Sequence, residues 1–442
     1  VHLSSPQRAA ALVPVPNGRK GATMPADHAI QIVLAYCIVP LLSFLVVLRS
    51  VRKAKGFYSG DGERSGSTVH AVIASVATGT PQYRCTQEQA LRVASKVPGT
   101  KSVRPTLERL YRNTCIGSRH FAVPDFTPQK RAEGDKALFP ADGSYEVPVD
   151  VRLAKFKQKA APLVCDVALR AIKESGVDVS QIAKLVVVSS TGFSGPGLDC
   201  DLIKNLGLPR SVDRTMVGLM GCAGALHGLR VASDFVIAHP GECALMVCVE
   251  LSSLHANFQD NTANAVSMAL FADGCAATVL KGARKAECPK GSLVVADSHS
   301  WLIEDSEDGI TVDIEPNSIV CVLSKLVPKI IANSVGPFVD GFLGRNSMKR
   351  KDVDFWVVHP GGSAIITEVQ NGLGLTEEHT ADSWAVLGEY GNMLSPTSMF
   401  VLSRVFQRHK AIIAEGKAGY QTGMAIAFSP GVGAEGVLFR QI

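Results

Sequence analysis

No two cysteines in the sequence have the CxxC spacing, and no group of His and Cys has the spacing of a zinc site. The eleven cysteines are scattered singly between Cys37 and Cys321. Neither a disulfide framework nor a structural metal is therefore expected, and a reducing compartment is. Charge is scarce too, with 19% Asp, Glu, Lys and Arg against 46% apolar residues. That balance excludes a disordered or fibrous chain and supplies ample core. A basic face is also missing outside the N-terminus. Residues 1–66 hold eight Lys or Arg and three acids, and the rest of the chain holds 37 of each sign. A body without excess positive charge is a poor match for nucleic acid. At 442 residues the chain is long enough for two domains or one large duplicated fold.

What the N-terminus does have is one long uncharged run, "AIQIVLAYCIVPLLSFLVVL" at 29–48. Twenty uncharged, mostly apolar residues can span a bilayer as a helix, and Pro40 would kink it without forbidding it. Arg49, Arg52, Lys53 and Lys55 follow the run, against Arg19 and Lys20 before it, so the positive-inside bias puts the body in the cytosol. A membrane anchor is one expectation; a cleaved signal or plastid-targeting leader is the second. A core helix is the third, disfavoured because the run precedes any recognisable domain. "GFYSGDGERSGS" (56–67) reads as a linker.

Beyond the linker, short apolar runs alternate with longer amphipathic ones. "TVHAVIASVATGTP" is a first strand, and "KLVVVSSTG" (184–192) and "ECALMVCVELSS" (242–253) are continuous enough for buried central strands. "LRVASDFVIA" (229–238) has helical periodicity. "DFWVVHPGG" (354–362) is a strand entering a Gly turn before the helical "SAIITEVQNGLG", and the C-terminus reads as two strands joined by a Gly/Pro loop. This alternation predicts an α/β fold with largely parallel sheets. Reactive residues of such folds gather in loops at the C-terminal ends of strands, where Cys222 and His359 both fall, one in each half.

In "VGLMGCAGALHGLRVASDF" (217–235), Cys222 stands where a tight small-residue turn meets a predicted helix. A thiol in a first helical turn feels partial positive charge that favours thiolate; a free cysteine is otherwise a small buried hydrophobe. His359 ends an apolar strand and precedes Pro360-Gly361-Gly362, a rigid turn that lets backbone approach a substrate, though a lone histidine is usually structural. Asn392, in "LGEYGNMLSP", is by itself a turn former. Together a Cys, a His and an Asn suit acyl transfer through a thioester, with two neutral groups to hold developing negative charge.

"GCAG", "HPGG", "GNM", "ALFADG" (269–274) and "SPGVG" (429–433), in this order from about Thr68 to Ile442, resemble the motif set of the type III polyketide synthases, the chalcone-synthase-like enzymes. His359 and Asn392 stand 33 positions apart, as in that family. The resemblance implies a thiolase fold, two similar α/β halves in a duplicated five-layered αβαβα body. The corresponding division is a leader at 1–66, a nucleophile-bearing half at 67–295 and a His/Asn half at 296–442. A homodimer is implied as well. Cys222 takes a starter acyl group from coenzyme A; His359 and Asn392 hold the malonyl thioester carbonyl and stabilise the enolate as carbon dioxide leaves, and His359 pairs with the Cys222 thiolate. Malonyl-CoA and acyl-CoA are substrates, and no metal, flavin or nicotinamide is implied.

Other positions carry over singly. Phe271 matches a gatekeeper between the coenzyme A tunnel and the cavity, with a core aromatic as the plain alternative. The second gatekeeper, usually Phe, aligns with Val312, which implies a wider neck. Arg109 matches one of three basic residues that contact coenzyme A phosphates, the other two aligning with Thr106 and Asn113. Arg112 is a substitute, and a solvated basic face is the alternative. Gly195 stands where many relatives have a Met that crosses the dimer interface. Ser190 and Glu250 match two members of a hydroxyl–carboxylate–hydroxyl relay that steers aldol closure, and the third aligns with Leu394. Loss of that hydroxyl favours Claisen or lactone closure.

The leader and these departures suit an algal or other microbial member, with phloroglucinol from malonyl units as one product class. Pyrones or resorcinols from fatty acyl starters are the alternative. An initiating ketoacyl synthase, which typically reads "HQAN" after its histidine, and a non-catalytic acyl-CoA-binding scaffold are the remaining readings.

Overall fold

The computed structural model describes residues 68–97, 100–127, 135–139, 146–257 and 262–442. The expectations for the apolar run at 29–48 lie outside them, and among the described residues no helix is long and apolar enough to cross a membrane. In chain order the first half holds β1 (Val69–Gly79), β2 (Tyr83–Thr86), α1 (Gln87–Ala94), α2 (Arg104–Asn113), β3 (Ser118–Phe121) and α3 (Val149–Ser175). It continues with β4 (Ile182–Ser189), α4 (Leu198–Leu206), β5 (Asp213–Gly218), α5 (Gly224–Ala238), β6 (Cys243–Leu251), α6 (Thr262–Leu270) and β7 (Asp273–Arg284). The second half holds β8 (Leu293–Leu302), the hairpin β9 (Ile310–Glu315) and β10 (Ser318–Leu323), α7 (Val327–Arg345) and β11 (Phe355–Val358). α8 (Ser363–Leu373), α9 (Ala381–Tyr390), α10 (Ser395–Ala414), β12 (Thr422–Ser429) and β13 (Gly433–Gln441) complete it.

Nine strands lie side by side in the order β11-β12-β13-β8-β1-β7-β6-β4-β5. Outward from the β1–β8 seam the two directions repeat one another. β1 pairs antiparallel with β7, β7 antiparallel with β6, and β6 parallel with β4; β8, β13, β12 and β11 follow the same sequence of pairings. The expectation of largely parallel sheets is thus corrected, because only β4–β5, β4–β6 and β11–β12 run parallel. The reason is local. β12 returns as β13 through the three residues Pro430–Val432, and so short a link can only reverse the chain.

Alternation along the strands sorts the side chains into three cores. Leu185 and Val187 of β4 pack with α3 and α4, while Val186 and Val188 face the opposite core with α5 and α10. On β11, Phe355 and Val357 enter that same central core, while Trp356 and Val358 pack with α7 and α8. Three apolar cores separate five layers: outer helices, strands, the central pair α5 and α10, strands, outer helices. Burial on both faces is why these strands read as unbroken apolar runs. The small residues of "GCAGALHGL" have a matching cause. A Cβ on Gly228 would stand 2.8 Å from Val188 Cγ2, so glycine lets α5 close onto β4.

Candidate active site

Cys222 lies in a single 3₁₀ turn, Gly221–Ala223, that runs straight into α5. Gly221 has φ of +50°, in the left-handed region that favours glycine. Its N–H donates to Ser190 Oγ at 2.9 Å, which ties the turn to the end of β4. Burial pushes the Cys222 thiol well above its ordinary pKa, opposed by a hydrogen bond to Asn392. Desolvation of the anion works against the thiolate that a helix start favours.

Asn392 lies between α9 and α10. Its N–H donates to Leu270 O at 3.0 Å and its carbonyl accepts from Ala272 N at 2.8 Å, so the backbone of one half is stitched to that of the other around Phe271. The side-chain amide is oriented at both ends: Nδ2 donates to Gly361 O at 3.0 Å, and Oδ1 accepts from Leu394 N at 2.8 Å. Nδ2 is then 3.9 Å from Cys222 Sγ. His359 immediately follows β11 and is anchored by its N–H to Ile426 O at 2.9 Å. Its Nδ1 lies 3.2 Å from Ser398 Oγ, and its buried Nε2 has no partner among the described residues. Burial lowers its pKa to about 3, so the imidazole is neutral at pH 7.

Cys222, His359 and Asn392 all line one cavity of about 370 Å³. Phe271 and Val312 line it as well, with Ser190 and Leu394. One limb of its lining is apolar and shared with the first half's core, formed by Ala90, Ala94, Leu110, Phe121, Phe126 and Ala269. The exposed Asn113 and Lys325 line the cavity as well. Lys325 was not singled out from the sequence, where "LSKL" is an ordinary solvated stretch. Arg109 and Arg112 are exposed on α2 and are not on the cavity wall, and Thr106 is half-buried. Arg119, also unsuspected, is buried and donates from Nη1 to the carbonyl of Phe271 at 2.7 Å, which holds that residue's backbone in place.

Glu250, at the end of β6, is fully buried behind the wall. Its carboxyl accepts from Ser190 N–H at 3.0 Å, Thr191 Oγ1 at 2.7 Å and Ser395 Oγ at 2.8 Å. Burial raises its pKa to about 7 against those hydrogen bonds. The hydroxyl partners of Glu250 are thus not at the two positions read from the sequence, Ser190 and Leu394, but one residue further on, at Thr191 and Ser395. Ser395 is not on the cavity wall, and at the neighbouring position Leu394, at φ of +55°, presents an apolar side chain to the cavity in place of a hydroxyl. His255 lines the same wall. Its Nδ1 accepts from Ile319 N at 3.0 Å, so Nε2 carries the proton and donates to Thr191 O at 2.6 Å. Among the described residues no group of three or more His, Cys, Asp or Glu could hold a metal ion.

Residues 62–284 match the N-terminal domain of the chalcone and stilbene synthases, and residues 292–442 match the C-terminal domain. The chain belongs to this family, the type III polyketide synthases, malonyl-CoA-dependent condensing acyltransferases of thiolase-like fold. Alpha-pyrone synthesis polyketide synthase-like Pks18 of Mycobacterium tuberculosis is 37% identical over 379 residues, covering 84% of this chain and 91% of that protein. The crystal structure of PKS-I from the brown alga Ectocarpus siliculosus is 67% identical with a TM-score of 0.84, over 86% of this chain and 100% of that one. The crystal structure of 1,3,6,8-tetrahydroxynaphthalene synthase from Streptomyces coelicolor is 25% identical with a TM-score of 0.72, over 84% of this chain and 99% of that one.

Proposed function

We propose that this synthase loads an apolar acyl starter onto Cys222, extends it with malonyl-CoA and releases the chain by Claisen or lactone closure. The observation that carries the starter class is the limb lined by Ala90, Ala94, Leu110 and Phe126. Each methylene buried there contributes about 0.8 kcal/mol, so a fatty acyl chain gains what an acetyl-sized group cannot. The name of the mycobacterial relative, an alpha-pyrone synthesis polyketide synthase-like protein, supports the lactone closure.

The chemistry follows from the wall. The Cys222 sulfur forms the acyl thioester, and coenzyme A departs. Asn392 Nδ2 and the His359 ring donate to the malonyl thioester oxygen, where negative charge grows as carbon dioxide leaves. Oriented neutral donors in a dry site stabilise such charge strongly because they need no reorganisation. The enolate carbon then attacks the thioester. Coenzyme A thioesters and these three side chains supply every step, so no further cofactor is invoked. Phe271 and Val312 form the neck, and the Val312 side chain leaves it wider than a second Phe would. The acyl-CoA enters past Lys325, which stands ready for its phosphates in place of Arg109. A homodimer fits the exposed Phe193, Met216, Leu219 and Met220 around the edge strand β5. A cytoplasmic enzyme follows from the cysteine spacing, which offers no disulfide framework.

The test is incubation of the purified protein with malonyl-CoA, alone and with short and long acyl-CoA starters, followed by mass spectrometry. Long-chain pyrones are expected. Phloroglucinol from malonyl-CoA alone, with no long-chain product, would overturn the starter assignment and leave the extension chemistry intact.

A further inference from the structure

The hairpin β9–β10 is a sheet of its own, paired with no strand of the nine-stranded sheet. It nevertheless puts Ile310, Val312, Ile319, Val320, Cys321 and Leu323 on the cavity wall. A two-stranded ribbon is marginal by itself, so its place depends on what holds it. Toward its base, Gly431 N–H donates to Ile310 O at 2.8 Å and Ser267 Oγ donates to Cys321 O at 3.1 Å. Its turn end hangs from two segments of the first half. Val149 N–H, at the start of α3, donates to Pro316 O at 2.8 Å, and Ile319 N–H donates to His255 Nδ1 at 3.0 Å.

One side chain reaches both segments. Arg152, in the first turn of α3, is 1% exposed and is not on the cavity wall. Its Nε donates to Val147 O at 2.9 Å, two residues before Val149. Its Nη1 donates to Leu254 O at 2.7 Å and Ala256 O at 2.9 Å, the carbonyls on either side of His255. The Phe139 ring covers one face of the guanidinium, 5.1 Å from it to the ring centre. A planar fork donates in fixed directions, so the segment at Val147 and the turn at His255 are set relative to one another. Burial, and to a smaller degree the Arg152 charge, lowers the His255 pKa to about 4, so the ring is neutral and Nδ1 stays an acceptor.

We infer that Arg152 is a positioning residue of the cavity: by fixing both segments that carry the turn end of hairpin β9–β10, it sets how closely the hairpin approaches the opposite wall. This rests on the condensing function proposed above and adds to it a control on specificity, since the width of the cavity at the hairpin discriminates among acyl chains.

Amide hydrogen exchange and competition between acyl-CoA starters, both on the full chain, test this with three variants. Arg152→Met keeps an apolar stem and removes all three hydrogen bonds. Arg152→Lys retains a cation for the Leu254 and Ala256 carbonyls but loses the fork. Val149→Pro removes the Pro316 bond alone, because proline is tolerated at the first position of a helix. In Arg152→Met the Ile319 amide is expected to exchange about tenfold faster while the amides of β6 stay protected. The preference between long and short starters is expected to shrink about tenfold, the effect of one buried hydrogen bond lost. Arg152→Lys should recover part of both, and Val149→Pro should show a smaller loss of preference. Destabilisation alone would lower turnover of every starter by one factor and leave the preference where it was. Parental exchange at Ile319 and parental preference in Arg152→Met overturn the inference; should that variant not fold, the same result in Val149→Pro overturns it. The exchange measurement needs no activity. An Ile319 amide released by these variants in a protein that makes no polyketide would sink the proposed function and leave the positioning role standing.

Discussion

The two halves of the molecule use one plan for different chemistry. In the first, β4 ends at Ser189 and the central helix α5 starts after Cys222; in the second, β11 ends at Val358 and the central helix α10 starts after Leu394. Ser190 and His359 thus occupy equivalent strand ends, and Cys222 and Asn392 stand just ahead of equivalent helices. Each half bridges its own strand end to its own helix start, Ser190 Oγ to Gly221 N in one and Asn392 Nδ2 to Gly361 O in the other. At this place the first half carries a cysteine and a buried carboxyl, the second a neutral imidazole and an amide. Both sets line one cavity, so a wall built from the two halves needs no new backbone.

The comparison is broken most severely at the nucleophile. Cys222→Ala is expected to abolish product, a loss of more than about a thousandfold, and to remove the acyl adduct seen on intact protein by mass spectrometry. Product formation by that variant would end the division of labour described above. Next in size, His359→Ala and Asn392→Ala should each lower condensation by about 10²–10³, the range for loss of an oxyanion donor. Acylation of Cys222 by a starter should survive better in Asn392→Ala than condensation does, which single-turnover measurements can resolve.

A smaller effect sharpens the difference in lining. Filling the first half's limb with Ala94→Phe should shift the preferred starter to shorter chains. Each methylene excluded costs about 0.8 kcal/mol, or roughly fourfold in kcat/KM. Competition between acyl-CoA lengths measures it.

The smallest effect concerns Glu250, the carboxyl at the end of β6. Its folded pKa of about 7 lies above the ordinary carboxyl value of 4.5, so between these values the folded state holds a proton that the unfolded state has lost. Its contribution is therefore fully present below 4.5 and is lost as pH rises through about 7, at up to about 1.4 kcal/mol per pH unit. Glu250→Gln cannot ionise, so it should gain on the parent protein as pH rises from 5 to 8. Urea unfolding at both pH values checks this. A difference independent of pH would mean that Glu250 keeps its charge.

Much of this was legible in the sequence, for identifiable reasons. β4, β6 and α5 were readable because burial on two faces or on one stripe leaves a periodic imprint on neighbouring residues. Parallel pairing was over-read, because the hydrophobic pattern of a doubly buried strand is the same in either direction. Arg109 was placed at the coenzyme A entrance by its alignment, yet α2 turns Tyr111 and Asn113, not Arg109, to the cavity. Ser398, Thr191 and Ser395 were passed over, since a serine or threonine in a helix start or turn carries no sign of what its hydroxyl reaches.

The sequence alone determined that a cysteine would sit on a glycine turn ahead of a helix, and that a histidine and an asparagine would end up on turns of the other half. Local sterics and periodicity dictate such things residue by residue. Only the tertiary structure decided which hydroxyls surround Glu250, which nitrogen of His359 meets Ser398 and how far the apolar limb extends. Those are contacts between segments tens to hundreds of positions apart, and their angstrom-scale geometry is set by the packing of three cores at once.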